Sequence, residues 1–138
     1  MEYRTETTIN APAETVWSIL MDGASFPEWD PGTIRIEGTI ADGEKITAYS
    51  QLSPDRAFPV TVTMVEPGRQ MTWHSGMPLG LFKGVRTFTL TPQEGGTTHF
   101  SMREKFSGIM LPIIGRTIPN MTDTFNTFAQ GLKARAEG

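Results

Sequence analysis

Apolar and polar side chains alternate over much of this chain, which is the pattern of strands that are buried on one face. The alternation covers residues 2–9 and returns between residues 33 and 106. The predicted strands are residues 2–9, 33–40, 44–52, 59–66, 70–75, 81–91 and 97–106. Their connectors are short and rich in Gly and Pro, which favours hairpins and sequential antiparallel pairing. The pattern therefore predicts a seven-stranded antiparallel sheet.

Two short helices are predicted between the first and second strands. Asn10 belongs to a residue type that caps helices, and Pro12 occupies a position where a missing N–H costs little, so a helix is expected from there to about Met21. A second helical turn is expected around Phe26 and Trp29, because turn-forming residues surround these aromatics. Both rings are expected to cover an edge of the core.

One long amphipathic helix is predicted at the C-terminus. Apolar residues recur there at spacings of three or four, at Ile118, Met121, Phe125, Phe128 and Leu132. Pro119 is expected either to begin the uninterrupted part of this helix or to kink it, and a helix from Pro119 to Ala136 would span about 27 Å, enough to cross a twisted sheet. This order of elements predicts an α+β fold in which the sheet wraps around the C-terminal helix. Neither a repeat nor a linker interrupts residues 1–138, so one domain is expected.

Composition narrows the location and the partners. The formal net charge of -3, with no cluster of Lys and Arg, argues against a nucleic-acid-binding surface. The chain contains no cysteine, which is typical of a reducing compartment and removes thiolate chemistry. The N-terminus has no signal-peptide pattern, and no stretch approaches the roughly 18 to 20 apolar residues that span a bilayer. We expect a cytoplasmic protein with no nucleic-acid partner and no stable membrane insertion, and a homodimer stays open.

Several motifs resemble one known superfamily. They are INAPAETVW at residues 9–17, FPEWDP at residues 26–31, GLFKGVRTF at residues 80–88 and EKFSG at residues 104–108. Together with the order of elements, they resemble the START-like helix-grip superfamily, and within it the SRPBCC branch of polyketide cyclases and dehydrases. The resemblance covers nearly the whole chain. It implies a cavity between the sheet and the C-terminal helix for lipids, sterols, hormones or polyketide intermediates, and it does not transfer a reaction.

Strand alternation places two opposite charges on the predicted inner face. Glu104 shares the parity of Phe100 and Met102, and Arg86 shares that of Phe88. If these strands form a hairpin, the two charges pair across it. One hypothesis makes the pair a polar anchor, in which Arg86 binds a carboxylate, enolate or carbonyl and Glu104 orients the ligand or moves a proton. The alternative is an internally satisfied ion pair, or a bulge that turns one member outward.

The other candidate ligand-binding residues are apolar or aromatic and face inward. Thioethers and aromatic rings suit an adaptable pocket, but the same residues also fill solid cores, and only the family resemblance favours the pocket. The predicted ligand-binding set is Trp29, Met64, Trp73, Phe82, Arg86, Phe88, Phe100, Met102, Glu104, Met121, Phe125 and Phe128.

Neither a metal site nor a hydrolase triad is indicated. His74 and His99 are the only histidines, and both fall on predicted outer faces, so they make a poor metal or general-base set. The serines lack a Gly-x-Ser-x-Gly elbow, and no glycine-rich phosphate loop is present. We therefore expect no metal and no cofactor.

Two apolar segments, residues 76–82 and 109–114, are candidate borders of an opening. The first joins two strands and is a candidate lid that controls ligand access. Packing under the helix explains both segments equally well, and contact with a membrane or a partner is a further alternative.

Three classes of function follow. The leading hypothesis is a protein that binds a small hydrophobic or aromatic ligand with one polar end, such as a lipid, a sterol-like molecule or a polyketide. The second is a cofactor-independent cyclase or dehydratase, in which Arg86 stabilises an enolate and Glu104 transfers a proton. The third is an adaptor that recruits a protein or a membrane through its apolar loops.

Overall fold

A computed structural model describes residues Met1–Gly138 and contains the predicted seven-stranded antiparallel sheet. The strands are β1 (Glu2–Ile9), β2 (Thr33–Glu37), β3 (Lys45–Ser50), β4 (Phe58–Glu66), β5 (Gln70–Gly76), β6 (Lys83–Pro92) and β7 (Thr98–Ser107). Their order is β1-β7-β6-β5-β4-β3-β2, so a meander runs from β2 to β7 and β1 pairs with its last strand. The α+β prediction is confirmed. β2 ends before the predicted Ile40, because Gly38 adopts a φ of 100°.

The helices are α1 (Ala13–Met21), α2 (Phe26–Trp29), α3 (Leu111–Ile114) and α4 (Thr122–Glu137). The long helix begins at Thr122, so its predicted start at Pro119 is wrong. Ile118 is extended, with φ -79° and ψ 120°, because a residue that precedes proline disfavours helical backbone. The side chain of Asn120 then accepts a hydrogen bond from Thr122 N at 2.9 Å and satisfies one free donor of the helix start.

The predicted cap of the first helix is also wrong. Pro12 occupies the N-cap position of α1 and is extended, with φ -65° and ψ 152°. Asn10 therefore lies too early in the chain to cap the helix. Its backbone N–H instead donates to Glu137 Oε2 at 2.8 Å, which ties the segment before α1 to the end of α4.

Helix α4 lies on the inner face of the sheet, against β1, α1 and α2. The hydroxyl of Thr5 donates to Asn126 Oδ1 at 2.8 Å and joins β1 to the helix. On the other side, Gly131 lets α4 approach α2, since a Cβ there would lie 2.0 Å from the carbonyl oxygen of Trp29. The close packing of the two helices therefore requires glycine at residue 131.

The core lies between the inner face of the sheet and these helices, and Phe128 is at its centre. Its ring centroid lies 4.9 Å from that of Trp29, 6.0 Å from those of Phe26 and Phe88, and 6.2 Å from that of Phe100. All five side chains are buried. Aromatic pairs at these distances add to the stabilisation that ring burial supplies.

Candidate functional site

Four side chains that carry polar groups lie in one row across the inner face of the sheet. Trp73 on β5 is the register partner of Arg86 on β6. Arg86 is in turn the partner of Glu104 on β7, which is the partner of Tyr3 on β1. Residues directly opposite each other in antiparallel strands project from the same face. The register thus brings the two charges together, as strand alternation predicts.

Arg86 and Glu104 form an ion pair in which Arg86 Nε donates to Glu104 Oε1 at 2.6 Å. The guanidinium carbon also lies 4.9 Å from the ring centroid of Phe125 on α4. The two side chains are 25% and 11% exposed, so solvent reaches the arginine more easily than the glutamate. The register between β6 and β7 is continuous from Lys83 to Pro92, which rules out the alternative that a bulge turns one charge outward.

The ion pair leaves most donors of Arg86 free. A guanidinium carries five N–H groups, and the bond from Nε to Glu104 is the only hydrogen bond that Arg86 makes to the protein. The four N–H groups on its two Nη atoms have no protein acceptor. Glu104 Oε2 likewise has no protein donor. The pair is therefore incompletely satisfied from within the protein.

Aromatic rings border the pair on the side of the sheet where β6 begins. The rings of Phe82 and Phe106 stack with centroids 5.8 Å apart, and Tyr3 meets Phe106 edge-on at 6.4 Å. Gly84 makes room for Phe106, since a Cβ there would lie 3.2 Å from its ring. The open half of the inner wall is defined here as Tyr3, Phe82, Arg86, Glu104 and Phe106. Tyr3, Phe82 and Arg86 stay only half-buried.

The other half of the inner wall is sealed. The closed half is defined here as Phe26, Trp29, Phe88, Phe100 and Phe128, which pack against one another and reach almost no solvent. Of the remaining predicted ligand-binding residues, Trp73, Met102 and Phe125 are buried between the halves, and Met64 and Met121 are half-buried at the edge of the core. The closed half is thus a packed core, the alternative that composition leaves open.

Two surface depressions lie outside the interior between sheet and helix. One has a volume of about 540 Å³, is open to solvent and is lined by Trp29, Pro31 and a largely polar face of α4. The other has a volume of about 170 Å³ and lies between α1 and Arg135. No strand residue lines either depression. Neither therefore matches the apolar cavity that the family resemblance implies.

Sequence reasoning does not identify two groups near the ion pair. Tyr3 contacts Phe125 with ring centroids 6.1 Å apart, and its hydroxyl lies 3.5 Å from the carbonyl oxygen of Pro119, to which it donates. Its inward parity is visible in the sequence, but its pairing opposite Glu104 is not. The indole Nε1 of Trp73 is buried and has no hydrogen-bond partner. An unpaired buried donor beside Arg86 is a feature that only the structure reveals.

The two histidines lie on the outer face of the sheet. His74 Nε2 shares a hydrogen bond of 2.7 Å with Thr72 Oγ1, and His99 Nε2 lies 3.7 Å from Glu6 Oε2. No three His, Asp or Glu side chains are placed so that they could hold a metal ion. No helix combines the length and the apolarity needed to cross a bilayer.

Comparisons with known proteins agree with this fold. The family model described as "Polyketide cyclase / dehydrase and lipid transport" matches residues 1–137. No curated protein matches the chain with significant sequence similarity.

Solved structures share the fold at low sequence identity. A hypothetical protein from Helicobacter pylori superposes with a TM-score of 0.79 at 13% identity, over 99% of this chain and 88% of its own. A START superfamily protein from Mycobacterium smegmatis superposes with a TM-score of 0.72 at 17% identity, over 99% and 97%. The di-domain ARO/CYC BexL, from the BE-7585A biosynthetic pathway, superposes with a TM-score of 0.73 at 15% identity, over 99% of this chain and 46% of BexL.

Proposed function

Because the chain belongs to the polyketide cyclase / dehydrase and lipid transport family, we propose that it binds one small apolar or aromatic molecule that ends in an oxygen-bearing polar group. A carboxylate, enolate or carbonyl oxygen accepts hydrogen bonds from Arg86, and the apolar body of the molecule lies along the open half. Lipids, sterol-like molecules and polyketides have this chemistry.

The free donors of Arg86 carry the proposal. Its guanidinium is largely shielded by Phe125 and the strands, yet four of its N–H groups have no protein acceptor. The Nη atoms are not among the buried side-chain atoms that lack a hydrogen-bond partner, so solvent reaches these N–H groups and they are free to take an acceptor. An acceptor oxygen from a ligand takes the place of water there, and Glu104 holds the guanidinium in position.

Access to this position is proposed to lie at residues 76–82. Phe82 stacks on Phe106 at the edge of the open half, and Met77 N donates to the Phe82 carbonyl at 2.8 Å, which closes the base of the loop. A shift of this loop uncovers Phe106 and Arg86 without disturbing the closed half. The loop is therefore the proposed lid.

Native mass spectrometry of the protein purified from its source identifies the chemical class of any copurified ligand. Affinity for that ligand is then measured for Arg86→Met combined with Glu104→Leu, which keeps the fold while it removes the anchor. A matched control exists on the outer face, where Arg103 Nε lies 3.2 Å from Glu2 Oε1 across neighbouring strands.

We expect the inner double variant to lose at least about tenfold in affinity, the loss of one charge-assisted hydrogen bond or more. The outer double variant, Arg103→Met with Glu2→Leu, is expected to bind as the wild type does. If the inner variant folds and keeps its affinity and any turnover, the ion pair is structural and the proposed anchor is wrong.

A second candidate function is catalysis of cyclisation or dehydration. The observation that favours it is a guanidinium with free donors beside a carboxylate with a free oxygen, which supplies both an enolate-stabilising cation and a proton-transfer group. Incubation with a linear poly-β-ketone thioester distinguishes the two functions by product analysis. A binding protein returns the molecule unchanged, whereas an enzyme yields a ring product or releases water, and Glu104→Gln then reduces turnover more than affinity.

A further inference from the structure

The large apolar side chains at the surface are not scattered. Seven are exposed, and five of them lie in residue 1 and in the segments that join β5 to β6 and follow β7, at the end of the sheet where β6 begins. Leu52 follows β3 at the same end but outside these segments, and Val65 lies at the opposite end. These five are Met1 (46% exposed), Met77 (43%), Leu79 (97%), Ile109 (78%) and Ile113 (63%). Isolated apolar residues at a surface are ordinary, but a contiguous group marks a contact surface.

Backbone contacts join the segments that carry these side chains. Met110 N donates to the carbonyl of Leu81 at 2.9 Å, and Phe106 N donates to that of Met1 at 2.9 Å. Gly108 permits the first contact, because its φ is 116° and a Cβ there would lie 2.5 Å from the Leu81 oxygen. Residue 1 and residues 77–81 and 108–115 thus form one surface, which we name the apolar rim.

Leu79 is the most exposed of the group and is unfavourable in two ways. Its side chain is 97% exposed, and its backbone has a φ of 61°, a conformation that bulky residues rarely adopt. Glycine or asparagine would be more stable at this position of the free protein. A leucine held outward at such a cost indicates that its side chain is used in a contact.

The charge around the apolar rim has the opposite sign to the charge of the chain. Residues 76–83 and 105–118 contain Lys83, Lys105 and Arg116 and no Asp or Glu, whereas the whole chain carries a net charge of -3. None of these three cations forms a salt bridge. The two acidic residues that adjoin these segments are each paired with an arginine, Glu104 with Arg86 at 2.6 Å and Glu2 with Arg103 at 3.2 Å.

We propose that the apolar rim docks on the surface of an anionic lipid bilayer. Leu79, Ile109 and Ile113 enter the boundary between headgroups and acyl chains, and the three cations contact anionic headgroups. Apolar side chains flanked by basic ones are the combination that binds such surfaces. A second copy of the chain fits less well, because a two-fold interface at the rim would bring together two surfaces that each carry the same three cations.

This inference stands apart from the proposed ligand, because it rests on exposed side chains and not on the inner wall. Docking at this end would nevertheless place the proposed lid against the bilayer. A ligand that dissolves in lipid could then pass between the membrane and the open half without crossing water.

Vesicle flotation tests the proposal with two lipid compositions, phosphatidylcholine alone and phosphatidylcholine mixed with phosphatidylserine. We expect the full chain to float with the mixed vesicles and to do so less at high salt, since salt screens exposed charges. Leu79→Asn with Ile109→Asn is expected to reduce the bound fraction at least tenfold. Val65→Asn removes an exposed apolar side chain at the opposite end of the sheet and is the control, expected to float as the wild type does.

Charge variants separate the electrostatic attraction to anionic headgroups from the insertion of apolar side chains. Lys83→Gln with Arg116→Gln is expected to weaken binding to the mixed vesicles about fivefold for each charge removed. The inner-wall variant Arg86→Met with Glu104→Leu is expected to float as the wild type does. Loss of ligand affinity therefore reports on the proposed anchor, whereas loss of flotation reports on the apolar rim.

Two outcomes overturn the proposal. One is a wild-type chain that fails to float with phosphatidylserine vesicles, or a folded Leu79→Asn, Ile109→Asn variant that floats unchanged. The other is a dimer in light scattering that this rim variant converts to a monomer, which would make the rim a self-association surface. Circular dichroism of each variant checks the fold, which substitutions at exposed positions leave intact.

Discussion

The two halves of the inner wall use the same strands and differ in what covers them. On β6, Phe88 is fully buried in the closed half, and one inward position earlier Arg86 has a side chain that is 25% exposed. The helices explain the change, because α1, α2 and most of α4 lie over the closed half, while α4 begins only at Thr122. The aromatic core is fully packed where the helical layer is complete, and the ion pair stays partly accessible where that layer ends.

The largest expected contrast between the halves lies in local opening. Core strands exchange amide hydrogens only through near-global unfolding, about 5–15 kcal/mol in ordinary domains, whereas surface loops open at almost no cost. We expect residues 77–82 to exchange several orders of magnitude faster than residues 98–102 on β7, measured by hydrogen–deuterium exchange. A ligand in the open half should slow the loop. Slow exchange throughout the loop, unchanged by any ligand, excludes its gating role.

Removing an aromatic ring should cost more in the closed half. Phe128→Ala takes away a ring with four aromatic neighbours and should lower the free energy of unfolding by about 3–5 kcal/mol. Phe82→Ala in the open half removes a half-buried ring and should cost about 1 kcal/mol. Urea denaturation measures both. Equal losses would contradict the division of the wall into a packed half and an accessible half.

Breaking the ion pair should have an intermediate effect. Glu104→Gln leaves the Arg86 guanidinium without its counter-charge and should cost about 1–3 kcal/mol, less than for a fully buried pair because solvent reaches the arginine. The joint change Arg86→Met with Glu104→Leu should be nearly neutral, because no unpaired charge remains. Urea denaturation of the single and double variants measures their free energies of unfolding. A double variant as unstable as the single one would show that the pair itself stabilises the fold.

The smallest effect concerns the tie between α4 and the segment before α1. The hydrogen bond from the Asn10 backbone, and after it the bond from Lys133, hold the pKa of Glu137 below its usual value. A lowered folded-state pKa adds stability that is complete above the unfolded value of about 4.3 and is lost as pH falls through the folded value. We expect Glu137→Gln to lower the Tm slightly at neutral pH. That difference should vanish in acid, and a difference that is independent of pH would refute the assignment.

The fold and one central contact could be predicted from the sequence. Residue alternation identified the inward faces of the strands, and short connectors identified their order, because a pleated strand has a side-chain period of two and a tight turn joins neighbours. Arg86 and Glu104 followed from these rules. They are equally spaced from one turn, so the hairpin register brings them opposite each other.

Other features depend on contacts between distant parts of the chain. Tyr3 reaches the polar row only because β1 pairs with β7, a pairing that no local pattern indicates. The start of α4 is an exception of a different kind. Pro119 is a local signal for where the helix starts. A residue before proline favours extended backbone, as Ile118 does, which delays the helix, but proline also commonly begins helices. The sequence does not choose between these two effects.

The sequence by itself determined which residues face inward, the α+β class and the pairing of two charges, since these depend on local periodicity and turn length. Only the tertiary structure decided that one half of the wall is packed and the other accessible, and that five apolar side chains form one surface. Whether an inward ring fills a core or borders an opening depends on which helix lies over it. That outcome is set by the sum of distant contacts, such as Gly131 against Trp29, and not by the residue's own neighbours in the chain.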